Sequence, residues 1–477
     1  MLIFWRGGVF SYIDRQFEET AIVIRWMNSM IMFGIQKIES DIREGLLSRS
    51  KILLLVSVVL IILAALAFFP SLSNDFQRQW DDQWMLLEHH ILLNPSMDNW
   101  WFYFTHFDRG QYSPLNQLYY LGIYHFSGFD PIAYHMGSLI IHMINCILVF
   151  YLVRLLGRQI AGNESQEVEW LAGLVALIFA IHPLQVESVA WISASKILLY
   201  ATFTLIGLIT YVIYFRSRKI VFLVMTILAY ILSFMCKEQA IIFPLNIILL
   251  DCLFHTFGYR GLSKRVLWEK IPFFALALFF WYWSAQNNLG VLDVSTAYPW
   301  HQRLIFGSYC LIIYIIRFLV PVNLLYFYGY PIVTGESLSW FYFSYAFLAI
   351  AFLAYLFDLY RSKKYIPFFG LTFFLVNILL VLHIIPMPRY MITADRYMYL
   401  SIVGLSVWTI WTVYRLVQWS RNRTWLRLGI AMIALLVVTC FVLYSNSLTR
   451  KWANSITIKQ EVQDYLAPEI QEINSSE

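Results

Sequence analysis

Two adjacent carboxylates, Asp81 and Asp82, lie in the stretch NDFQRQWDDQWMLLEHH (74–90), soon after the apolar run KILLLVSVVLIILAALAFFP (51–70). Neighbouring carboxylates on a short loop beside lipid repel each other and gain no packing energy, so an Asn or Gln would serve structure better. A carboxylate next to an acceptor hydroxyl can take its proton, which is general-base catalysis. The pair therefore predicts a catalytic base at one of the two positions.

The same stretch also allows other chemistry. Asp81, Asp82, His89 and His90 carry atoms that bind divalent cations, but their spacing matches no definite ligand motif, and metal dependence stays undetermined. Glu88, shortly after the pair, is a further candidate base.

Three later segments also concentrate polar residues: HPLQVESVAWISASK (182–196), CKEQ (236–239) and PMPRYMITADRYMYL (386–400). They add the following candidates for the same site: His182, Glu187, Lys196, Lys237, Glu238, Arg389, Asp395, Arg396 and Tyr397. All lie at the ends of apolar runs in aromatic surroundings, which favours one cavity at a membrane boundary.

Each of these segments also has a purely structural interpretation. The His-Pro step could end a helix, and the lysines could extend along lipid to the polar interface. Asp395 could pair with Arg396 to fix the start of a helix.

Apolar runs long enough to cross a membrane must position these segments. The chain has 477 residues, of which 60% are hydrophobic and 13% are charged. A hydrocarbon layer of about 30 Å needs roughly 20 helical residues, and these runs are too long and too uniformly apolar for barrel strands. Because backbone groups in lipid must be satisfied within the segment, helices are predicted. The sequence therefore predicts an all-α polytopic membrane protein with about eleven transmembrane helices.

Basic residues set the predicted orientation. The formal net charge is +5, and the Lys and Arg residues fall in every second loop, at 154–158, 216–219, 260–270, 361–364 and 415–427. The positive-inside bias makes these loops cytoplasmic, so the charge indicates a membrane and not nucleic acid as the partner. The predicted spans are 51–70, 133–153, 170–181 with its continuation, 196–215, 220–235, 240–256, 270–284, 339–357, 364–385, 398–414 and 428–446.

One apolar run does not fit this alternation. If RLIFGSYCLIIYIIRFLVP (303–321) crossed the membrane, the later basic loops would move outside, so a re-entrant or interfacial helix is predicted there. The predicted organisation is a cytoplasmic or interfacial segment at 1–50, a transmembrane domain at 51–446 with its first external loop at 71–132, and a short external tail at 447–477.

From about residue 51 to 446 the chain resembles transmembrane O-mannosyltransferases of the cadherin-targeting type and their bacterial relatives, members of the C-type (GT-C) glycosyltransferase superfamily. The resemblance lies in an ordered set of motifs: NDFxxxWDDQ followed by ILLNP, then YSPLNQLYY, AYHMGSLIIHMINCIL, AIHPLQVESVAWIS, CKEQAIIFPLNIILLD and TADRYMYLSIVG. The chain departs from the family at Tyr112-Ser113-Pro114-Leu115, where tyrosine-arginine-proline-leucine is usual. The tetratricopeptide array that usually follows the last span is absent from this sequence.

The resemblance implies a GT-C-like fold and an enzyme that takes a sugar from a polyprenyl phosphate, dolichyl or undecaprenyl, on the external or lumenal side. The positions that match the family's motifs are Asp81 and Asp82 for its acidic pair, His182-Pro183 with Glu187 for its His-Pro and following acid, Lys196 for its basic residue, Lys237-Glu238 for its Lys-Glu, and Ala394 to Tyr397 for its Ala-Asp-Arg-Tyr.

Transfer from a lipid phosphate defines what these residues would do. The phosphate leaves without needing a proton, so one base is enough, and attack from the opposite face implies inversion. Cations should hold the departing phosphate, and the candidates are Arg396, Lys196, Arg389 and Lys237. Arg396 is the first choice because Asp395 can orient it. The expected reaction is transfer of mannose or another hexose to a hydroxyl, with protein Ser or Thr as the expected acceptor.

Two other functions stay open on the sequence. Transfer to a lipid or polysaccharide would use the same donor, and the sequence does not separate acceptors. A lipid flippase or transporter usually needs ionisable residues near the middle of its spans, whereas here they collect at the outer ends, which favours catalysis. The expected location is a bacterial inner membrane with an external active site, or the endoplasmic reticulum membrane in a eukaryote.

Overall fold

Helices make up nearly all the regular structure in the part of the chain that the structure describes. The computed structural model describes residues 49–78, 80–89, 104–105, 107, 109–161, 166–258, 268–287, 298–385 and 391–463. Its α-helices are α1 (Arg49–Phe68), α2 (Pro114–Ser127), α3 (Pro131–Ala161), α4 (Gln166–Ile181), α5 (Val186–Ala190), α6 (Ser195–Ser217), α7 (Ile220–Phe234), α8 (Phe243–Thr256), α9 (Ile271–Asn287), α10 (Trp300–Leu319), α11 (Phe343–Arg361), α12 (Tyr365–Ile378), α13 (Ile402–Trp419) and α14 (Thr424–Lys451). In these residues the only β pairing is an isolated bridge between Tyr328 and Thr393.

The lengths and composition of the helices confirm the predicted class. In the described ranges, 7 helices are long and apolar enough to cross a membrane, and the count is 8 if Gln166–Ile181 and Pro183–Ala190 form one bent span. Shorter apolar helices cover Ile220–Phe234, Ile271–Gln286 and Tyr365–Val381. A helix lies at the position of every predicted span. The protein is an all-α, multi-pass membrane protein.

The outward faces of these helices are apolar, as lipid requires. On α14, Met432 is 71% exposed and Leu436 is 62% exposed. Apolar surface on this scale is stable against acyl chains and unfavourable in water. Residues from Ser57 onward form one compact unit, whereas Met1–Val56, of which only 49–56 are described, belong to another.

Proline and backbone geometry end the helices where the polar segments begin. Pro183 has no N–H to donate, and the helical axis bends by 55° between α4 and the turn and helix that follow it. Pro114 occupies the first turn of α2, where a missing N–H costs nothing. Arg218 ends α6 in the left-handed conformation, with φ 56°. The breaks therefore place candidate polar residues at or near helix ends, with Glu187 in the short α5 and Lys196 in the first turn of α6.

Helices that follow each other in the chain pack together, among them α3 with α4, α6 with α7, and α12 with α13. The last pair meets at two glycines. A Cβ on Gly370 would lie 2.6 Å from the carbonyl oxygen of Gly404, so only glycine permits this approach. Small residues allow such close backbone contact in membrane helices, where van der Waals packing replaces the hydrophobic effect.

Helix α10, which corresponds to the run at 303–321, lies against the connection between α12 and α13. The Cys310 thiol is 3.4 Å from the carbonyl of Ile392, and Arg317 Nη1 is 3.4 Å from Asp395 Oδ1. After α10 the chain returns without helix to its starting end, where Gln302 Nε2 donates to the carbonyl of Glu336 at 2.9 Å. A crossing α10 would require this non-helical return to cross the membrane as well, which leaves backbone groups unsatisfied unless protein surrounds them. By length and composition α10 is itself one of the 7 helices that could cross a membrane, so its interfacial position stays a prediction.

We expect cysteine labelling to report both ends of α10 on the same side of the membrane. If α10 is interfacial as predicted, His301→Cys and Val322→Cys, in a background without the 5 native cysteines, should both react with an impermeant maleimide from outside. Ser362→Cys, in the basic loop after α11, should react only after permeabilisation. Labelling of positions 301 and 322 from opposite sides would show that α10 spans the bilayer.

The segments outside the spans are partly described. The segment predicted as the first external loop contains α2 and a helical turn at Gln83–Leu87. The tail continues α14 as far as Lys451 and is helical again at 455–463. Residues 1–48 and 464–477, and with them most of the predicted N-terminal segment and the end of the tail, lie outside the described residues.

Candidate functional site

The tail of the chain fixes the segment that carries the two aspartates. Asn74 Nδ2 donates to the carbonyl of Thr449 at 3.0 Å, and Gln77 Nε2 donates to the carbonyl of Trp452 at 2.7 Å. The backbone N–H of Asp75 donates to the carbonyl of Ala453 at 2.8 Å. The polar stretch after α1 is therefore attached to the end of α14, far away in sequence.

Asp82 is fully buried and binds backbone. Its Oδ2 accepts the N–H of Gln77 at 2.7 Å, and its Oδ1 accepts the N–H of Ser193 at 2.9 Å together with the Ser193 hydroxyl. Burial raises the pKa of Asp82 to about 6, although the hydrogen bonds from Ser193 and Gln77 oppose the shift. Both oxygens are occupied, so this carboxylate joins the first polar segment to the second and has little room for a substrate.

Asp81 has the opposite environment. Its side chain is 28% exposed, and its Oδ2 lies 4.0 Å from Lys196 Nζ. Trp84 Nε1 donates to its other oxygen at 3.2 Å. Lys196 is 8% exposed and also donates to Gln111 Oε1 at 2.6 Å. An accessible carboxylate beside a fixed ammonium is the arrangement expected of a base that acts near an anionic leaving group.

Arg396 is held by Glu187. Glu187 is 4% exposed, its Oε2 accepts the backbone N–H of Arg396 at 2.7 Å, and its Oε1 accepts the guanidinium. Burial lowers the pKa of Arg396, but Glu187 outweighs this effect and leaves the pKa above its ordinary value. Asp81 acts in the same direction on the guanidinium. Arg396 is therefore a permanent cation within electrostatic reach of Asp81.

Asp395 binds a different arginine. Arg317 of α10 lies 3.4 Å from its Oδ1, and the Tyr328 hydroxyl donates to its Oδ2 at 3.1 Å. The Arg317 guanidinium lies over the Tyr328 ring, 3.5 Å from its centroid. Burial raises the pKa of Asp395 to about 7 against the opposing effect of Arg317. The expected orientation of Arg396 by Asp395 is therefore corrected: Glu187 orients Arg396, because the turn at 395–398 directs the two neighbouring side chains to different partners.

Aromatic rings surround these charges. The Arg396 guanidinium lies 5.2 Å from the centroid of a Trp191 ring and 5.1 Å from that of Tyr397. Lys237 Nζ lies 5.5 Å from the centroid of the same Tyr397 ring. This contact joins the polar segment 236–239 to the segment 386–400. Trp80, next to Asp81, contacts Trp191 at 5.4 Å between ring centroids. Such rings hold cations and also offer flat apolar faces.

The four predicted segments thus meet, but not all their side chains join the cluster. His182 is fully buried, donates from Nε2 to the carbonyl of Phe318 at 2.9 Å and accepts the N–H of Leu184 at Nδ1. Glu88 is exposed and accepts from Gln83, and Glu238 accepts from the Ser284 hydroxyl at 2.8 Å.

Two of the candidate residues are not described, and the described residues offer no metal site. Arg389 lies outside the described residues, as does His90. Within the described ranges no group of three or more His, Cys, Asp and Glu side chains could hold a metal ion.

Sequence reasoning missed several residues that complete the cluster. Ser193 and Gln111 are neutral; the only signal for Ser193 is its position inside the polar segment 182–196, and for Gln111 its position in the predicted first external loop, 71–132. Arg317 lies in the run 303–321, where the sequence indicates no role for it, and Tyr328 follows in a stretch with no polar pattern. Only tertiary contact shows that these two side chains bind Asp395.

Comparisons with known proteins identify no family for this chain. No protein-family model and no curated protein matches it. Among solved structures it is similar to the crystal structure of ArnT from Cupriavidus metallidurans bound to undecaprenyl phosphate, with TM-score 0.42 and 11% identity over 89% of this chain and 81% of that one. Similarity at this level does not identify an activity.

Proposed function

We propose that this protein is a membrane glycosyltransferase of the GT-C type that transfers a hexose from a polyprenyl-phosphate donor to a hydroxyl group, with inversion at the anomeric carbon. The observation that carries the proposal is an accessible carboxylate, Asp81, that lies 4.0 Å from the buried ammonium of Lys196 and within electrostatic reach of the Arg396 guanidinium. These groups come from three polar segments that are distant in sequence but share one end of the helices. The ordered motifs of the sequence support the same reaction.

The reaction needs one base and one anion site. Asp81 takes the proton of the acceptor hydroxyl as its oxygen forms a bond to the anomeric carbon, and the bond from that carbon to the phosphate oxygen breaks. The phosphate leaves as an anion on its lipid. Lys196 and Arg396 stabilise that developing charge, and a buried setting strengthens the effect because little water competes.

Glu187 prepares Arg396 for this role. Because the guanidinium has five N–H donors, bonds to one carboxylate leave others for a phosphate. Stacking on Trp191 and Tyr397 removes rotamer freedom before the donor binds. An arginine fixed in this way loses less entropy when it binds an anion.

The donor and acceptor in the proposal rest on the family resemblance of the sequence. The donor is dolichyl- or undecaprenyl-phosphate mannose or a related hexose, and the acceptor is protein Ser or Thr. The site faces outward because the basic loops lie at the opposite helix ends. A bacterial inner membrane or an endoplasmic reticulum membrane would then contain the protein.

A reconstituted assay tests this function. Protein in liposomes should transfer radiolabel from a polyprenyl-phosphate hexose to Ser- and Thr-containing peptides, and NMR of the product should show the anomeric configuration opposite to that of the donor. Label in glycolipid or polysaccharide instead would assign another acceptor to the same chemistry. Movement of the intact lipid between leaflets without sugar transfer would show that the protein is a flippase and would contradict the proposal.

A further inference from the structure

A large apolar cavity lies at the other end of the helices. Its volume is about 350 Å³, and its walls come from the C-terminal part of α3, the N-terminal part of α4, and parts of α6, α8, α12 and α13. Helix α4 separates it from the candidate site: Glu167–Val175 line the cavity, whereas Glu187 follows the far end of the helix. With a rise of 1.5 Å per residue, α4 is roughly 24 Å long, so most of the lining lies towards the helix ends opposite the candidate site. On α13 the lining extends back to Val403 and Gly404, near the start of the helix.

The walls of this cavity are almost entirely aliphatic and aromatic. They include Leu152, Leu156, Val175, Phe373, Val407 and Ile410. A cavity of this kind does not hold ordered water, because water needs two or more polar partners. A membrane protein can fill such a space with hydrocarbon from the surrounding lipid, and the contacts it gains stabilise the bound chain.

Polar groups occur only at one edge of the lining, on α4 and α13. Arg415 is exposed there, next to Tyr414, whose hydroxyl is within hydrogen-bonding reach of Glu167. Arg421, Arg423 and Arg427 follow in the same loop and at the start of α14. A cation at the mouth of an apolar cavity, on the side where basic residues concentrate, complements the phosphate of a membrane lipid.

We infer that this cavity binds one acyl chain of a glycerophospholipid from the cytoplasmic leaflet, with the lipid phosphate at Arg415. The bound lipid would fill the space between α3, α4, α12 and α13 and hold these helices together. The site is distinct from the donor site of the proposed function, and it does not depend on glycosyl transfer.

Photocrosslinking in liposomes tests the inference. A phospholipid with a diazirine in its acyl chain should label peptides from 152–161 and 403–415 in the full-length protein. Ile410→Trp places a larger side chain in the cavity and should reduce that labelling about tenfold, because the chain loses its space. Leu416→Trp is the matched control, since Leu416 is on the same helix, is 47% exposed and does not line the cavity. Its labelling should be unchanged.

Two further experiments distinguish a phospholipid from the polyprenyl-phosphate donor as the ligand of the cavity. Arg415→Gln should weaken labelling by phospholipid and leave the elution profile of the protein unchanged. Excess polyprenyl phosphate should not compete, and competition would assign the cavity to the donor lipid and overturn the inference. Equal labelling of wild type and Ile410→Trp would overturn it as well. If Ile410→Trp fails to fold, Ile366→Trp replaces it, because Ile366 lines the cavity and is 36% exposed.

Discussion

Asp81→Asn is expected to lower turnover by roughly 10²-fold or more, with donor affinity and folding largely kept. The substitution keeps the size of the side chain and one acceptor oxygen, but it removes the proton acceptor. Asp81 is 28% exposed beside Lys196, so its replacement leaves no buried group without a partner. Single-turnover transfer from labelled donor measures the rate, and equilibrium binding of polyprenyl phosphate measures the affinity.

Asp82→Asn is the matched control, and its defect should be structural. Both oxygens of Asp82 accept backbone N–H groups, from Gln77 and Ser193. An amide turns an N–H₂ group towards one of these donors, and a buried donor without a partner costs about 1–3 kcal/mol. We expect Asp82→Asn to lower the midpoint of thermal unfolding, whereas Asp81→Asn does not. Near-normal transfer by Asp81→Asn would show that the base is elsewhere, with Glu187 and Glu88 the next candidates to replace.

Arg396→Ala is expected to lower turnover by about 10²- to 10³-fold and to weaken donor binding, because it removes a charge-assisted contact to the leaving phosphate. The loss should affect donor affinity as well as turnover, since the guanidinium would contact the phosphate both before and during transfer. Inhibition by free polyprenyl phosphate measures the first effect directly. Unchanged donor affinity would instead indicate that Arg396 only fixes the turn at 395–398.

Two variants separate the charge of Arg396 from the orientation of its guanidinium by Glu187. Arg396→Lys keeps the charge but loses the planar group that contacts Trp191 and Glu187, so it should restore only part of the activity. Glu187→Gln should leave Arg396 charged but poorly oriented, and turnover should fall with a smaller change in donor affinity. Equal effects of Glu187→Gln and Arg396→Ala on donor affinity would mean that the two residues act as a single unit.

The apolar runs of the sequence by themselves determined the class of this protein. Hydrocarbon leaves a chain few alternatives to continuous helices, so each run of sufficient length predicted a helix, and helices lie at those positions. The polar segments were equally visible, because a charged group near lipid is costly and is rarely retained without a role. Their convergence was expected from their shared end of the helices: Asp81 lies beside Lys196, Glu187 binds Arg396, and Asp81 acts electrostatically on that arginine.

Only the tertiary structure decided which side chain does what within that cluster. The sequence offers Asp81 and Asp82 equally as the catalytic base. The contact of Asp82 with Ser193, 111 positions further along the chain, shows that Asp82 is a buried structural residue. From the sequence, the neighbouring Asp395 is the expected partner of Arg396. In the structure Arg396 pairs with Glu187, and Asp395 pairs with Arg317. The physical reason is the same in both cases. Burial and hydrogen-bond partners depend on contacts between distant segments, and adjacent residues on a turn point in different directions.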